Sequence, residues 1–514
     1  MSKYLLKTFS LLFIITLVIR FIDVVKNLYV ASKIGVSDVS DIYLALIVIP
    51  DSLIVLIGFD TIRGVINSEF SGIKDINTSD EAKQSFKSIF TFLLLSSFLI
   101  LIMLLVFNDQ ILSLLLPGFS NEKRFIALQM TYIIFPIFFL KSIIALFHSY
   151  YNSLNKFYFP VITQALVTFS IIVFIFMPVI NNQFIFNLSY GILIGTFLYL
   201  VFLFVPIVKL FGLDLFSFKI NPLTRKIFKN CLSLLVFVII NQIYLFSKNF
   251  IVSYFPNGNL SALNYAVSVT TFISALTFNT VFSPLLSSFA QNFSFGRKIV
   301  AKTNFANTIL GLVFVYISII LVFVIFSKEI LSLLYMRGKF TLEGVELTSK
   351  PFIWESLALF PFIFSIISTA LFLAKKEYKK LTIIGVIVYS FGIIMNLVLT
   401  YYIDFFGISI SSFLVYLLQS ILLLYFAQKF LGRFNHYYKK LSLLLMAGIL
   451  TFFIMYLIKI NLFVGVYYNF YSLAVYLLAG IISVNLIYFS LTYFFKVNLI
   501  FDLKKILFST KNEV

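Results

Sequence analysis

Apolar residues in this chain come in blocks of about twenty, and that block length constrains the fold more than any other feature. A helix rises about 1.5 Å per residue, so about twenty apolar residues cross the hydrocarbon core of a bilayer. Fourteen such spans read at 8–32, 42–66, 88–107, 125–150, 158–180, 184–207, 230–255, 262–290, 303–326, 351–374, 381–403, 408–428, 441–458 and 472–495. The expected fold is therefore an all-α polytopic membrane protein with about 14 transmembrane helices.

Composition agrees. Of 514 residues, 61% are hydrophobic and 11% charged, against roughly 25% charged in a soluble domain, which leaves little room for one here. The net charge of +19 raises the question of nucleic acid, and its distribution answers no. Most Lys and Arg residues fall in alternate loops, a positive-inside bias that places both termini on the cytoplasmic side. The basic excess is mainly a topology signal, with phospholipid headgroup contact as a secondary use. Lys3 and Lys7 precede an apolar stretch, but no small-residue cleavage site follows it, so this is read as an uncleaved first span. A single cysteine, Cys231, excludes an internal disulfide and a cysteine metal cluster, and His148 and His436 form no metal-ligand motif.

The chain repeats itself. Residues 111–115 read Ile-Leu-Ser-Leu-Leu, as do residues 330–334; Phe135-Pro136 recurs as Phe360-Pro361, and Ala145-Leu146-Phe147 as Ala370-Leu371-Phe372. These matches align the fourth span with the tenth, so the unit is six spans and both copies enter the membrane in the same orientation. The expected organisation is two parallel six-helix lobes, 1–210 and 230–430, and two final helices with a tail, 431–514. Parallel repeats place the substrate path between them. The basic stretch 211–229, with Leu215, Phe216 and Phe218, reads as an amphipathic interfacial connector.

Charge inside the spans marks the path, because an ionisable residue at membrane depth costs several kcal/mol, from about 3 upward. Arg20, Asp23 and Lys26 interrupt the first span at i, i+3, i+6. Each step of three turns the helix about 300°, so the three share a face, with Asp23 beside both cations. This face, net +1, suits an anionic substrate. Lys141 in the fourth span and Lys248 in the seventh each stand without a local acid, and each needs a partner or an anion. Asp51 follows Pro50, which breaks the helical ladder and presents backbone groups to a cavity. Asp60 and Arg63 form a pair at the cytoplasmic end of the second span. Glu355, beside Trp354, reads as interfacial. The seventh span also carries Asn241, Gln242, Tyr244, Ser247 and Asn249, which suit a wet lumen or interhelical hydrogen bonds. No phosphate loop, His-Glu metal pair or nucleophile with a matching base is present, so the chain reads as a transporter rather than an enzyme, with no cofactor. Its drive is then a coupling cation (Na+ or H+), the membrane potential or the substrate's own gradient.

Several short motifs resemble the MurJ/MviN family, within the multidrug/oligosaccharidyl-lipid/polysaccharide exporter superfamily. Arg20, Lys26, Ala31, Gly35, Asp41 and Pro50 fall without gaps on the family's opening pattern of Arg, Arg, Ala, Gly, Asp and Pro. Pro117-Gly118-Phe119 resembles its loop after the third span, and Asn152, Phe157 and Pro160 the turn between its fourth and fifth. Pro284, Gly338-Lys339-Phe340 and Met395-Asn396-Leu397 resemble motifs of its second half. The resemblance covers most of the chain. It implies a flippase of the bacterial inner membrane with two lobes around a cationic cavity. Such a protein moves lipid II, a polyprenyl-diphosphate-linked peptidoglycan precursor, by alternating access, its last two helices forming a groove for the lipid tail. It further implies that Arg20 and Lys26 contact the diphosphate or sugar, that Asp41 helps gate the periplasmic side, and that cell-wall synthesis machinery is a partner. The family's arginine pair after the second-span proline is replaced here by Ile54 and Val55. Its Ala-Asp-Arg of the eighth span aligns with Ala266-Val267-Ser268, for which Lys141 or Lys248 are the candidate substitutes. Another lipid-linked polysaccharide or O-antigen unit, or a cation-coupled small-molecule exporter, are the alternative readings.

Overall fold

A computed structural model of the chain describes residues 3–57, 66, 80–154, 156, 158–179, 184–211, 214–462, 470–495 and 497. Every regular element among them is helical. Twelve helices are long and apolar enough to cross a membrane, and a shorter apolar stretch runs over Val238–Val252. Adding the 32-residue first helix, whose apolar run the three charges interrupt, gives about fourteen. The protein is a polytopic membrane protein of the expected class.

The helices group into two compact units. The first holds Met1–Ser261 and the short segment Gly338–Phe340. Its helices are α1 (Lys3–Ile34), α2 (Asp38–Ile47), α3 (Ile49–Leu56), α4 (Asp80–Val106), α5 (Asn108–Leu115), α6 (Asn121–Ser153), α7 (Tyr158–Ile175), α8 (Phe184–Phe211) and α9 (Pro222–Val252). Ser37 caps α2 in a reciprocal box with Ser40, and Pro50 opens α3 just after the chain breaks at Val48. The break follows from the proline, which lacks an N–H but suits a first turn. Helix α6 is the centre of this unit, packing on α2, α3, α4 and α8. Helices α7 and α8 lie close because Gly191 and Gly195 leave no side chain between them. A Cβ at either would stand within 3 Å of an α7 backbone atom, the small-residue contact typical of membrane helices. Helix α9 packs on α3, α4 and α5.

Residues 214–220 form no helix. They run as a strap along the first turns of α4: Gln84 and Thr91 bond Ser217, Ser88 bonds the Lys219 carbonyl, and Lys87 pairs with Asp214 at 2.7 Å. Asn221 ends the strap by capping α9 and bonding Ser85 and the Glu81 carbonyl.

The second unit holds Ala262–Arg337 and Thr341–Val514. Helix α10 (Asn259–Thr277) leads through a π-helical turn, Phe278–Phe282, into α11 (Ser283–Ser294). The π turn sits directly ahead of Pro284, where the missing N–H removes one α-helical bond. Then follow α12 (Lys298–Ile325), α13 (Ser327–Tyr335), α14 (Leu342–Ala374), α15 (Tyr378–Ile403), α16 (Gly407–Leu431), α17 (Asn435–Leu462) and α18 (Phe470–Phe494). Helix α14 packs on α12 and α16, while α17 and α18 lean on α12. The sequence repeat has a structural counterpart. In each unit a long helix, a short one carrying Ile-Leu-Ser-Leu-Leu and a 33-residue helix with internal proline follow in order: α4–α5–α6 and α12–α13–α14.

Two of the short sequence motifs meet. Helix α1 leaves orphan carbonyls at its end, as any helix does. The Gly35 N–H takes that of Ala31, and the Lys339 N–H takes that of Ser32, each at 2.8 Å. Gly35 and Gly338 both have positive φ, and a Cβ on either would stand 2.3 Å from the other segment's backbone oxygen. Glycine is required at both places by backbone conformation and by contact. Gly338→Ala is expected to lower the thermal unfolding midpoint of the detergent-solubilised protein. The cost is at least the about 1–3 kcal/mol of a forced backbone conformation. Gly296→Ala, at a positive φ with open space around its Cβ, should cost less.

Candidate functional site

The charges of α1 are held as one group. Asp23 lies 3.8 Å from Arg20 and 3.4 Å from Lys26. Thr168 on α7 donates a hydrogen bond to the same carboxylate at 2.6 Å. The ladder is thus fastened at its acid, not at its cations. The Arg20 contact is longer than a hydrogen bond, and half of the Arg20 side chain is exposed (50%). Lys26 is much less open. One carboxylate against two cations leaves the group at net +1.

Lys141 on α6 has a partner 90 positions away in sequence: its Nζ stands 2.6 Å from Asp51 Oδ1 on α3. Sequence reasoning noted Asp51 and Lys141 separately and did not join them, since neither lies within a helical turn of the other. Depth relates the pair to the α1 group. Arg20 lies fourteen residues before the end of α1, and Asp51 thirteen residues after the start of α2. Each is therefore about 20 Å of helix from that end, at 1.5 Å per residue. Lys248 differs. It lies four residues before the end of α9, about 6 Å along the helix, and its ammonium sits over the Tyr244 ring at 4.9 Å. Asp60 and Arg63 lie outside the described residues.

Asp41 is built into a knot at the end of the first unit where α2 and α6 begin. Only 2% exposed, it accepts from the N–H groups of Gly258 and Ser261, both at 2.8 Å, and from Lys123 at 3.0 Å. It therefore caps the start of α10 from another helix, where partial positive charge favours an anion. Lys123 also reaches Asp38 at 2.8 Å, and Asn257 donates to Asp38 at 3.0 Å. Gly118 completes the arrangement: its N–H bonds Ser253 Oγ at 3.1 Å, and a Cβ there would meet the Ser253 carbonyl at 2.2 Å. Asp41 was singled out by its place in a motif. Lys123, Asp38 and Gly258 were not, because the contacts span 82 to 220 positions.

In the second unit Ser268 bonds the Tyr335 hydroxyl at 3.0 Å, beneath the Tyr265 ring, so a neutral hydroxyl pair stands where the family pattern has an arginine. Glu355 is buried within α14, a helix that begins nine residues before the expected span. Lys459 on α17 pairs with buried Glu329 at 2.7 Å and donates to the Ile325 carbonyl at the end of α12. It lines an apolar groove of about 360 Å3 with Val324, Ile325, Phe452, Tyr456 and Ile460.

Comparison with known proteins identifies the family and the fold. The family described as "Lipid II flippase MurJ" matches residues 30–494. A probable lipid II flippase MurJ of Buchnera aphidicola (Baizongia pistaciae) is 25% identical over 423 residues, covering 79% of this chain and 80% of that protein. Its counterpart from Buchnera aphidicola (Schizaphis graminum) is 26% identical over 474 residues, 88% and 90% of the two chains. Among solved structures, a lipid II flippase MurJ in an inward closed conformation superposes with a TM-score of 0.79 at 21% identity, over 96% of this chain and all of that one. An inward-facing multidrug resistance MATE family transporter of the MOP superfamily gives 0.66 at 13% identity, over 81% and 97%. At these identities the structural matches show the fold.

The Asp41 knot makes a stability prediction. Removing one partner of a buried ion pair costs about 3–5 kcal/mol, because the other charge is stranded. Lys123→Met should therefore lower the unfolding midpoint well below that of Asp38→Asn, whose carboxylate is far more exposed. Equal midpoints in a thermal unfolding series would assign Lys123 to the surface rather than to the knot.

Proposed function

The chain belongs to the lipid II flippase MurJ family, and on that premise we propose how its residues move lipid II. The protein is a lipid II flippase and not an enzyme; it carries its cargo across the bilayer by alternating access, open to one face and then the other. The family match over residues 30–494 carries this reading. The lipid-linked precursor and the bilayer are its partners.

Arg20 and Lys26 bind the diphosphate. They share one acid, Asp23, which also accepts from Thr168, so the group keeps a net positive charge and part of the acid's hydrogen-bonding capacity is already taken. A diphosphate carries at least two negative charges, and charge-assisted hydrogen bonds to it are stronger than neutral ones. Lys141, at comparable depth, supplies a third cation. Lys248, near the end of α9, acts at entry or exit rather than at the centre. The Asp41 knot stays closed through the cycle and braces the outer end of the first unit, so that the periplasmic gate moves around it as a fixed point. The apolar groove beside Lys459 takes part of the polyprenyl tail. Both termini face the cytoplasm of a bacterial inner membrane, where the synthesis machinery that supplies lipid II works. The drive is the membrane potential or a coupling cation, Na+ or H+.

Arg20→Ala and Lys26→Ala are expected to abolish translocation while the protein remains in the membrane. Lipid II then accumulates on the cytoplasmic face of depleted cells complemented with either variant. Thr168→Val, which frees Asp23 to pair more fully with the cations, should slow translocation without abolishing it. Normal translocation by a stably expressed Arg20→Ala protein overturns the assignment of the site.

A further inference from the structure

Lys141 meets a demand that the proposed site creates. A lysine kept in a spanning helix for an anionic cargo is costly while the cargo is absent. The chain has placed Asp51 against it at 2.6 Å. The carboxylate stands in the first turn of α3, just after the break at Val48, where the helix dipole favours negative charge. The pair is not sealed. The Asp51 side chain is 62% exposed and that of Lys141 27%, whereas the Asp41–Lys123 pair is almost fully buried. An open ion pair at this depth has to face a polar path rather than lipid.

We infer that Asp51 is an internal counter-anion of the substrate site: it holds Lys141 while the site is empty and yields it to the diphosphate of the cargo. The inference rests on the reading that cations of the first unit bind that diphosphate. The presence or absence of cargo sets the direction of exchange. A diphosphate brings more charge and more acceptor oxygens than one carboxylate, so it displaces Asp51 on arrival. Asp51 remains tethered beside Lys141, at high effective concentration, and recaptures the ammonium as the cargo leaves. A lysine without such a competitor would hold its anion too long for turnover. Asp51 thus sets how tightly the site grips and how fast it lets go. It also accounts for a cation on α6 where the α3 positions of the family's arginine pair are the apolar Ile54 and Val55.

The test uses the full chain in nanodiscs, farnesyl diphosphate as the probe and its Kd as the readout. Asp51→Asn keeps the side-chain shape and removes the competing charge. It should tighten binding about tenfold, within the ordinary range of couplings between competing ligands. Lys141→Met should weaken binding. In the Lys141→Met background, Asp51→Asn should change nothing, because there is no ammonium left to contest. Asp51→Asn should also unfold at lower temperature when empty and recover with the probe, which shows the variant is folded. Unchanged or weaker binding by a folded Asp51→Asn protein overturns the inference, as does a lack of probe binding by both wild type and variant. If Lys141→Met, Arg20→Ala and Lys26→Ala all bind like wild type, the underlying site reading fails instead. If those three weaken binding and only the Asp51→Asn gain is missing, the site stands and the counter-anion role falls.

Discussion

A charge taken out of water has to be compensated, and the interior of each unit is organised around that demand. Asp23 meets it with two cations and a hydroxyl, Asp51 with Lys141, Asp41 with Lys123 and two backbone N–H groups, and Glu329 with Lys459. The pairs look alike chemically and differ in how they are finished. Asp41 is buried and has its oxygens satisfied by donors fixed in the backbone, so parting it from Lys123 leaves a charge with nowhere to go. Arg20 and Asp51 are open on one side, and their partners are single side chains that can be traded for a ligand. Burial and saturation therefore separate pairs that hold the fold from pairs that can work in a cycle.

Backbone discontinuities serve the same arrangement. The break at Val48 sets Asp51 in a fresh first turn, rather than in mid-helix, where no dipole would support it. At the end of α1 the missing intrahelical donors are replaced by Lys339, which enters at a distance only two glycines allow. At the start of α10 the free N–H groups are taken by Asp41. Helix ends that would be liabilities in a membrane protein thus become the points at which distant segments are tied.

Much of this was legible in the sequence, and the rest was not for a physical reason. Block length gave the spanning helices, and the Ile-Leu-Ser-Leu-Leu repeat marked α5 and α13 as counterparts. The Arg20–Asp23–Lys26 spacing foretold their shared face, since contacts three residues apart are written into helical geometry. Motif glycines 35 and 338 could be noted but not joined. Pairing across helices leaves no local trace: Asp51 with Lys141, Asp23 with Thr168 and Asp41 with Gly258 depend on packing, which one chain without its fold does not display. Glu355 shows the same limit: hydropathy marks its place along α14, and only packing shows that its side chain is buried.

The distribution of charge has a consequence for how cargo is gripped. Where the family pattern has an arginine in the eighth span, this chain has Ser268, already engaged with Tyr335. A hydroxyl pair offers an anion a weak hydrogen bond and no charge. Ile54 and Val55 remove two further cations from the second span. On the proposed reading, the attraction for a diphosphate comes from Arg20, Lys26 and Lys141, all in the first unit. Three cations without compensation at that depth would make the empty state too costly to occupy, and two of the three would compete for Asp23. A second acid, placed on a separate helix and left open, removes the difficulty without cancelling the site. On this view Asp51 is needed because the cations have been gathered into one unit, and the pair it forms with Lys141 balances what the second unit no longer supplies.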